Sequence, residues 1–418
     1  MNSPYWLTNV RLESGYRYEE GLVAGTETEI CHLLIEDGKI SEIMSAVTTI
    51  DSDLPKQDAR NLLALPSFTE KHFHLDKTYL GGPWKASKPA KNLIERLEWE
   101  ANELPALSKT TRERAEQLLD LILQSGSTHI RTHVNIDPYI GLKNLEAIRM
   151  ALESFKGKLS YEIVAFPQHG LLRTQVGDLM RQALREGATL VGGVDPAGVD
   201  GNVEASLQQM MEIAVEANAD IDLHLHDPDY LGAYTMNRLA GLTEEAGWQG
   251  RVAVSHAFGL GGVPIEQAEE MADVFAELGI SVISAVPIRF DVQIPPIPML
   301  QKKGVEVAIG CDSMFDCWAP FGNADILERA SRLAERFRWL DEYSLAQSLG
   351  FITGGKTPLN QEGKRLWPKL GDEANIVFTE ASCSAEAVAR KVKRSAVMYR
   401  GKLVAGTLEA VEDRLADF

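Results

Sequence analysis

Residues 62–74, LLALPSFTEKHFH, join a short apolar run to two histidines, His72 and His74, that are one residue apart. Side chains at positions i and i+2 of a β-strand point to the same face of a sheet. Both imidazoles can therefore reach one metal ion from a single strand. A His-x-His pair is a weak motif by itself, because it also arises by chance and in buried structural histidines. Its meaning depends on which residues the rest of the chain places beside it.

Apolar runs typical of buried parallel strands alternate with amphipathic helices through the middle of the chain. The predicted strands end near Phe68, His133, Phe166, Val194, His224, His256, Pro287 and Asp312. The predicted helices, each with apolar residues at i, i+3 and i+4, include 112–124, 176–185, 203–217 and 265–278. Eight strands with intervening helices over roughly 300 residues predict an α/β fold of the (β/α)8 TIM-barrel type. We assign this barrel to residues 62–365.

Both ends of the chain contain short strands instead. The first segment predicts strands at 5–12, 30–36 and 39–44, and an Asp-Gly hairpin turn joins the last two. The final segment has similar apolar runs at 374–378 and 396–399. Neither segment is long enough to form a core of its own. We therefore predict that residues 1–61 and 366–418 combine into one small β-sandwich domain.

The segment 77–108, after the first barrel strand, is longer than a usual βα loop and contains a predicted helix at 92–104. Long loops of this kind often form lids over a site. We expect this one to lie near the functional face of the barrel.

The charge of the chain restricts its partners. Lysine and arginine number 42 against 60 aspartates and glutamates, which gives a formal net charge of −18. Nucleic acids and anionic membranes are poor partners for such a chain, because phosphate binding depends on basic side chains. The sequence shows no signal peptide and no run of about 18 apolar residues, so we expect a cytoplasmic location. The four cysteines are widely spaced and indicate neither a zinc ribbon nor a disulfide framework.

Six of the nine histidines fall at or just beyond the ends of predicted strands, on the barrel face that carries active sites. They are His72, His74, His133, His224, His226 and His256. Asp312 ends the last predicted strand, where a carboxylate is costly to bury unless it is paired or binds a cation. Imidazoles together with a carboxylate suit Zn²⁺ or Fe²⁺. Such a metal would lower the pKa of a bound water towards neutrality and provide hydroxide.

Several motifs in chain order carry a family resemblance. The run from Pro66 to Lys77 resembles the first-strand signature of the amidohydrolase superfamily. Four further motifs resemble its cytosine deaminase branch: Arg131-Thr132-His133-Val134, Val164-Ala165-Phe166-Pro167-Gln168, Ser255-His256, and Asp312 before Phe315-Asp316-Cys317-Trp318. The runs Val191–Pro196, Asp222–Asp227 and Pro320–Asn323 most resemble the s-triazine aminohydrolases of that branch. The similarity covers nearly the whole chain.

The resemblance implies one divalent metal ion, held by His72, His74, His224 and Asp312. Zn²⁺ is the first choice and Fe²⁺ the alternative. His256 would be the base that orients and deprotonates the water, with Asp312 helping to move the proton. Binuclear relatives have a carboxylated lysine at the end of the fourth strand. Here that place is occupied by the run Val194–Ala197, which favours a single metal.

The acid that protonates the substrate ring is less well defined. Cytosine deaminases have a glutamate three residues after the fifth-strand histidine, and in this chain the same position is Asp227. Aspartate is one methylene shorter. His226 lies two residues after His224, on the same face by strand alternation, and is the alternative acid.

Four residues are expected to contact the substrate. Gln168 matches the glutamine that binds the amide edge of the substrate in cytosine deaminases, and a carboxamide offers both a donor and an acceptor. Lys77 and Asp195 lie at strand ends near the site, although a solvated loop lysine and a turn aspartate are alternative interpretations. Ser313 stands where cytosine deaminases have a second aspartate.

His133 is either a partner of a metal ligand or a buried structural histidine.

These observations predict a mononuclear, metal-dependent deaminase or aminohydrolase that cleaves a C–N bond of a cyclic amidine. The substrate would be a small N-heterocycle such as a cytosine-like pyrimidine or an s-triazine. A cyclic amide or imide hydrolase is the second hypothesis. A metal-binding barrel without catalysis, acting as a binding protein, is the third. Relatives form homo-oligomers, so the resemblance also leaves a homo-oligomer open.

Overall fold

The structure is a computed structural model that describes residues 3–408. Its strands are β1 Tyr5–Glu19, β2 Leu22–Glu36, β3 Lys39–Ser45, β4 Lys56–Asp58, β5 Leu63–Pro66, β6 Phe68–Phe73, β7 Ser127–Asn135, β8 Ser160–Phe166, β9 Leu190–Val194, β10 Asp220–His224, β11 Val252–Ser255, β12 Ser281–Ser284, β13 Val307–Ile309, β14 Ile376–Thr379, β15 Arg394–Tyr399 and β16 Lys402–Gly406. Its α-helices are α1 Leu93–Leu107, α2 Thr111–Gln124, α3 Lys143–Ser154, α4 Gly177–Arg185, α5 Val203–Ala217, α6 Asp229–Glu245, α7 Gly259–Gly262, α8 Ile265–Leu278, α9 Ile297–Lys302, α10 Ile326–Phe337, α11 Glu342–Ser348 and α12 Ser384–Arg390.

Strands β6 to β13 form a barrel. They are parallel and lie side by side in chain order, and helices occupy the connections between them. The ends of neighbouring strands are aligned, so that His224 at the end of β10 lies between Val194 of β9 and Ser255 of β11. The prediction of a (β/α)8 TIM barrel is confirmed.

The barrel closes between β13 and β6, beside the two histidines of the HFH motif. The Asp312 N–H donates to the His72 carbonyl at 2.8 Å, and the His74 N–H donates to the Asp312 carbonyl at 2.8 Å. The buried Glu70 carboxylate accepts the N–H groups of His72 at 2.9 Å and Cys311 at 3.1 Å. These bonds, which we call the closing seam, fix the backbone of His72 relative to that of Asp312.

The terminal segments form a separate sheet. Its strand order is β16-β15-β14-β5-β1-β2-β3, with β4 beside β1, and most of its pairs are antiparallel. Buried residues from both ends of the chain, including Leu33, Ile40, Ile376 and Phe378, form a core for this sheet. The prediction that the two ends combine is confirmed. The hairpin of β1 and β2 is longer than predicted, because pairing continues outward to Glu19 and Leu22.

The prediction for the apolar run 62–66 is wrong. The sequence predicts that this run leads into the first barrel strand, which would end near Phe68, but residues 63–66 form β5 and pair with β14 in the terminal sheet. The chain changes sheets at Ser67, whose N–H donates to Asn375, while the next N–H, of Phe68, donates to Gly126. The first barrel strand is therefore β6, and His72 lies near its end.

The limits of the two domains remain a proposal. The pairing of β5 with β14 favours placing residues 63–66 with the terminal segments. The predicted composite domain also includes residues 1–2 and 409–418, which lie outside the described residues.

The predicted helices agree closely with the structure. Helices α5 and α8 have the predicted bounds, and the predicted lid helix is α1, which starts one residue later and ends three residues later than expected. The Asn92 side chain caps α1 by accepting the Glu95 N–H. Within residues 3–408, no helix is long and apolar enough to cross a membrane.

Gly310 tests how tightly the closing seam is packed. A Cβ atom at this position would lie 2.5 Å from His72 Cβ and 2.7 Å from the His72 carbonyl oxygen. Gly310→Ala is therefore expected to destabilise the protein by about 1–3 kcal/mol. Urea unfolding followed by circular dichroism measures the change.

Gly241 in the interior of α6 is the matched control, because its nearest neighbour is the flexible end of Arg238. Gly241→Ala should leave stability unchanged or raise it by about 0.5–1 kcal/mol. Equal responses of the two variants would show that the seam tolerates a side chain at Gly310.

Candidate active site

The four predicted metal ligands converge at the carboxyl end of the barrel. Asp312 Oδ1 lies 3.6 Å from His72 Nε2 and 3.5 Å from His74 Nε2. His224 Nε2 lies 3.3 Å from His74 Nε2. The imidazoles are buried, whereas the Asp312 side chain is 38% exposed and borders a cavity. Asp312 has a φ of 70°, a left-handed conformation that is strained for a residue other than glycine.

Three of the distances between these donors can be compared with those around one tetrahedral divalent ion. Two groups that could hold a metal, with ligand atoms all within 4.8 Å of one another, are His72, His133 and His224, and His72, His256 and Asp312. Atoms about 2.0–2.1 Å from a tetrahedral Zn²⁺ lie about 3.4 Å from one another. The three distances of 3.3, 3.5 and 3.6 Å are close to this value. His72 Nε2 is buried and has no hydrogen-bond partner among the described residues. Burial also lowers the pKa values of His74 and His224, which favours the neutral imidazoles that metals bind.

His256 lies directly beside this cluster. Its ring centre is 4.8 Å from that of His72 and 4.2 Å from that of His226, and its Nε2 is buried without a hydrogen-bond partner among residues 3–408. Burial lowers the pKa of His256, and the neighbouring His226 acts in the same direction. The imidazole is therefore neutral near pH 7 and able to accept a proton. Its φ of 68° is again left-handed.

His226 and Asp195 form a pair. His226 Nδ1 lies 2.9 Å from Asp195 Oδ2, and Asp195 Oδ1 accepts the backbone N–H of His226 at 2.5 Å. Burial alone lowers the pKa of His226, but the Asp195 carboxylate outweighs it, and the net result is a raised pKa. The His226 side chain is 41% exposed and borders the cavity. Asp195, expected to contact the substrate, also borders the cavity while it holds this imidazole.

The Asp227 side chain lies in a different environment from that of His226. It does not border the cavity, and its carboxylate lies against the backbone of Ala197 and Gly198. Burial raises the pKa of Asp227 to about 6, with Asp195 acting in the same direction, while the N–H groups of Gly198 and Ala197 oppose the shift. Of the two candidate acids, only His226 borders the cavity.

A cavity of about 1010 Å³ gives access to these groups. The residues that border it include most of the predicted site: His74, Lys77, Gln168, Asp195, His224, His226, His256, Asp312 and Ser313. Apolar side chains such as Leu97, Phe258 and Trp318 form much of the remaining wall. The cavity is far larger than a single heteroaromatic ring, so the substrate can carry a substituent.

One wall of the cavity carries a buried charge pair. Lys77 Nζ lies 3.2 Å from Glu100 Oε1 and donates to Gln168 Oε1. Burial alone lowers the pKa of Lys77, but the Glu100 carboxylate outweighs it, and the net result is a raised pKa. Lys77 therefore stays charged and occupies the carbonyl oxygen of Gln168. The amide NH₂ of Gln168 remains for a substrate acceptor.

The comparison with protein families matches residues 57–405 to the amidohydrolase family. The chain is also 41% identical over 407 residues to the uncharacterized protein YahJ of Escherichia coli, covering 97% of this chain and 88% of that protein. The chain belongs to the amidohydrolase family. It is therefore a hydrolase of C–N bonds other than peptide bonds, and the predicted enzyme class is confirmed.

Two further relatives carry the more specific resemblance. The crystal structure of N-isopropylammelide isopropylaminohydrolase from Burkholderia multivorans has a TM-score of 0.85 and 29% sequence identity, and the match covers 98% of this chain and 100% of that one. N-isopropylammelide isopropyl amidohydrolase of a Pseudomonas species is 29% identical over 354 residues, covering 83% of this chain and 87% of that protein. The predicted similarity of this chain to the s-triazine aminohydrolases is confirmed.

Two residues beside this site, Glu100 and Glu70, were not identified from the sequence. Glu100 of α1 accepts the Trp318 indole N–H at 3.2 Å as well as contacting Lys77, so it joins the lid helix to the cavity wall. The sequence spacing could have indicated that Glu100 is buried. It is three residues after Leu97 and four before Leu104, on the buried face of α1. Glu70 had no such signal, because its partners are backbone groups of the closing seam.

His133 lies deeper than the other histidines. It is fully buried, neither ring nitrogen has a hydrogen-bond partner among the described residues, and its ring centre is 4.2 Å from that of His72 and 4.4 Å from that of His224. It contacts two predicted ligands without bordering the cavity. This position favours support of the ligand rings over substrate contact.

Glu100→Gln tests the buried pair. The variant leaves the Lys77 ammonium without its nearest carboxylate, and loss of one partner of a buried pair typically costs about 3–5 kcal/mol. We expect a loss of about 3 kcal/mol, at the lower end of this range, because Asp316 also favours the charged lysine. Chemical denaturation measures it.

Glu98→Gln on the exposed face of the same helix is the control and should cost less than about 0.5 kcal/mol. Adding Lys77→Met to Glu100→Gln should recover part of the loss. If Glu100→Gln were as stable as Glu98→Gln, the pair would not hold α1 in place.

Proposed function

We propose that this amidohydrolase is a mononuclear metal-dependent aminohydrolase that removes ammonia or an alkylamine from an amidine carbon of a small N-heterocycle. The observation that carries the proposal is the grouping of His72, His74, His224 and Asp312, with three donor–donor distances of 3.3–3.6 Å, beside a neutral His256 and a cavity. The names of the 29% identical relatives, which refer to an s-triazine, support the ring class.

The proposed cofactor is one divalent ion held by these four side chains, with Zn²⁺ as first choice and Fe²⁺ as the alternative. When bound, it would supply the Lewis acidity that makes water a nucleophile near neutral pH. Proton transfer and substrate binding are assigned to side chains of the protein.

His256 is the proposed base. Its neutral, buried imidazole borders the cavity and accepts the proton that water loses as it attacks the ring carbon. Asp312, whose carboxylate faces the same space, helps to move that proton. A C–O bond then forms at the carbon that carries the amine.

His226 is the proposed acid. The Asp195 carboxylate at Nδ1 keeps the imidazole protonated to higher pH and directs the other side of the ring to the cavity. His226 donates its proton to the ring nitrogen, and the proton that His256 took from water passes to the amine. The exocyclic C–N bond then breaks, the amine leaves as a neutral molecule, and the hydroxyl proton of the new C–O group returns to His226 as the carbonyl forms. Asp227 is the alternative acid, but its carboxylate does not border the cavity.

Gln168 and Lys77 are the proposed substrate contacts on the opposite wall. Because Lys77 occupies the Gln168 carbonyl oxygen, the free amide N–H groups select a substrate with an acceptor, such as a ring carbonyl, beside the reacting carbon. Ser313 borders the same cavity and can contact ring substituents. The proposed partner is this small-molecule substrate, without nucleic acid or membrane, and a homo-oligomer stays open.

A turnover screen tests the function directly. The metal-loaded protein is incubated with cytosine, isocytosine, creatinine, pterin and N-alkyl s-triazines, and amine release is measured separately from ring opening. We expect amine or ammonia release from at least one ring. Ring opening without amine release would favour a cyclic amide hydrolase, and the absence of both would favour a binding protein.

His256→Asn is the control for the screen. It should bind metal as the wild-type protein does, because His256 is not a proposed ligand, and it should lose turnover by about 100-fold or more. Metal content measured by mass spectrometry separates loss of the base from loss of the ion. Retained turnover would rule out His256 as the base.

The choice of acid is tested by His226→Asn and Asp227→Asn. We expect kcat to fall by about 100–10,000-fold for His226→Asn and by far less for Asp227→Asn. Asp195→Asn should move the alkaline limb of the kcat profile to lower pH, because Asp195 raises the pKa of His226. The reverse order of the two kcat effects would make Asp227 the acid.

A further inference from the structure

Asp222 lies in the barrel interior, below the proposed metal ligands and outside the cavity. It precedes His224 by two residues on β10 and is fully buried. Its Oδ1 accepts the Ser255 hydroxyl at 2.6 Å, and its Oδ2 accepts the Arg131 guanidinium at 2.9 Å. Neither Asp222 nor Ser255 touches the space where a substrate fits.

The hydrogen-bond directions in this group are fixed by chemistry. The single Ser255 hydroxyl hydrogen goes to Asp222, because a carboxylate paired with a guanidinium only accepts. The Ser255 oxygen must then accept from His72 Nδ1, which is 2.9 Å away. His72 therefore carries its proton on Nδ1 and presents the Nε2 lone pair towards Asp312, which is 3.6 Å away.

This support is specific to His72. The corresponding atoms of the other two proposed imidazole ligands, His74 Nδ1 and His224 Nδ1, are buried without a partner among residues 3–408. Groups that bond to the remote nitrogen of a ligand histidine fix its tautomer and ring orientation, and their loss typically weakens metal binding by about 10–100-fold. A chain of Arg131, Asp222 and Ser255 can therefore act on the ion without touching it.

We propose that Ser255 and Asp222 are positioning residues of the metal centre, which hold His72 as the Nδ1–H tautomer with Nε2 directed at the ion. The inference rests on the metal site of the proposed function but not on the identity of the substrate. It gives the Ser255-His256 motif two separate roles, in which the first residue orients a ligand and the second is the proposed base.

The experiment measures metal affinity and ligand geometry without substrate. Zn²⁺ affinity is determined by competition with a fluorescent chelator, and the visible spectrum of the Co²⁺ form reports the coordination geometry. For Ser255→Ala we expect about 10–100-fold weaker Zn²⁺ binding and an altered Co²⁺ spectrum. Ser127→Ala is the matched control, because it removes a buried barrel-strand serine hydroxyl that has no hydrogen-bond partner among the described residues.

Asp222→Asn provides the same test if Ser255→Ala fails to fold. It keeps the shape of the side chain but removes the charge that receives the Ser255 hydrogen, so weaker Zn²⁺ binding is again expected. Wild-type Zn²⁺ affinity and an unchanged Co²⁺ spectrum in either folded variant would overturn the inference.

The outcome separates this inference from the proposed function. Weakened metal binding in Ser255→Ala, with no turnover of any heterocycle by the wild-type protein, would uphold the positioning role and reject the proposed reaction. Turnover by the wild-type protein with unaltered metal binding in Ser255→Ala would do the opposite. A wild-type protein that binds no divalent metal would overturn both.

Discussion

The site depends on the hydrogen bonds that close the barrel between its last strand and its first. Two proposed ligands, His72 and Asp312, belong to strands that are far apart in the sequence, and the closing seam holds their backbones together through bonds of 2.8 Å. Glu70 reinforces the seam from inside the barrel by accepting N–H groups from both strands. Because the seam is made largely of backbone groups, the ligand spacing is set by barrel closure itself, and only the ring orientations are left to the side chains.

Sequence patterns predicted the barrel and the composition of the site because parallel strands bring their carboxyl ends to one edge. His72, His224, His256 and Asp312 could be placed together without knowing any distance. The same patterns could not assign the run 62–66 to the terminal sheet, since an apolar run indicates a buried strand but not its partner. They also could not detect the link from Asp222 to Ser255, because a hydrogen bond between strands has no local signature.

The barrel interior beneath the site is unusually polar. TIM barrels commonly fill this region with layers of branched apolar side chains. Here Arg131 spans the carboxylates of the partly exposed Glu162 and the buried Asp222, which places a charged network below the histidines. Such a network is stable only when each charge is paired, and removal of one partner is costly. The site is therefore supported by paired charges from several strands, whereas the apolar core lies mainly between the strands and the surrounding helices.

The left-handed backbone at three strand ends affects which substitutions this enzyme can accept during evolution. Asp195, His256 and Asp312 have φ values of 35°, 68° and 70°, conformations that cost on the order of 1–3 kcal/mol in residues other than glycine. Glycine would relieve this strain at each position. Selection for stability alone would therefore favour replacing these carboxylate and imidazole side chains by glycine. The proposed roles in turnover would therefore oppose stability at these three positions, and a descendant that no longer used the site would be expected to change them first while it kept the barrel.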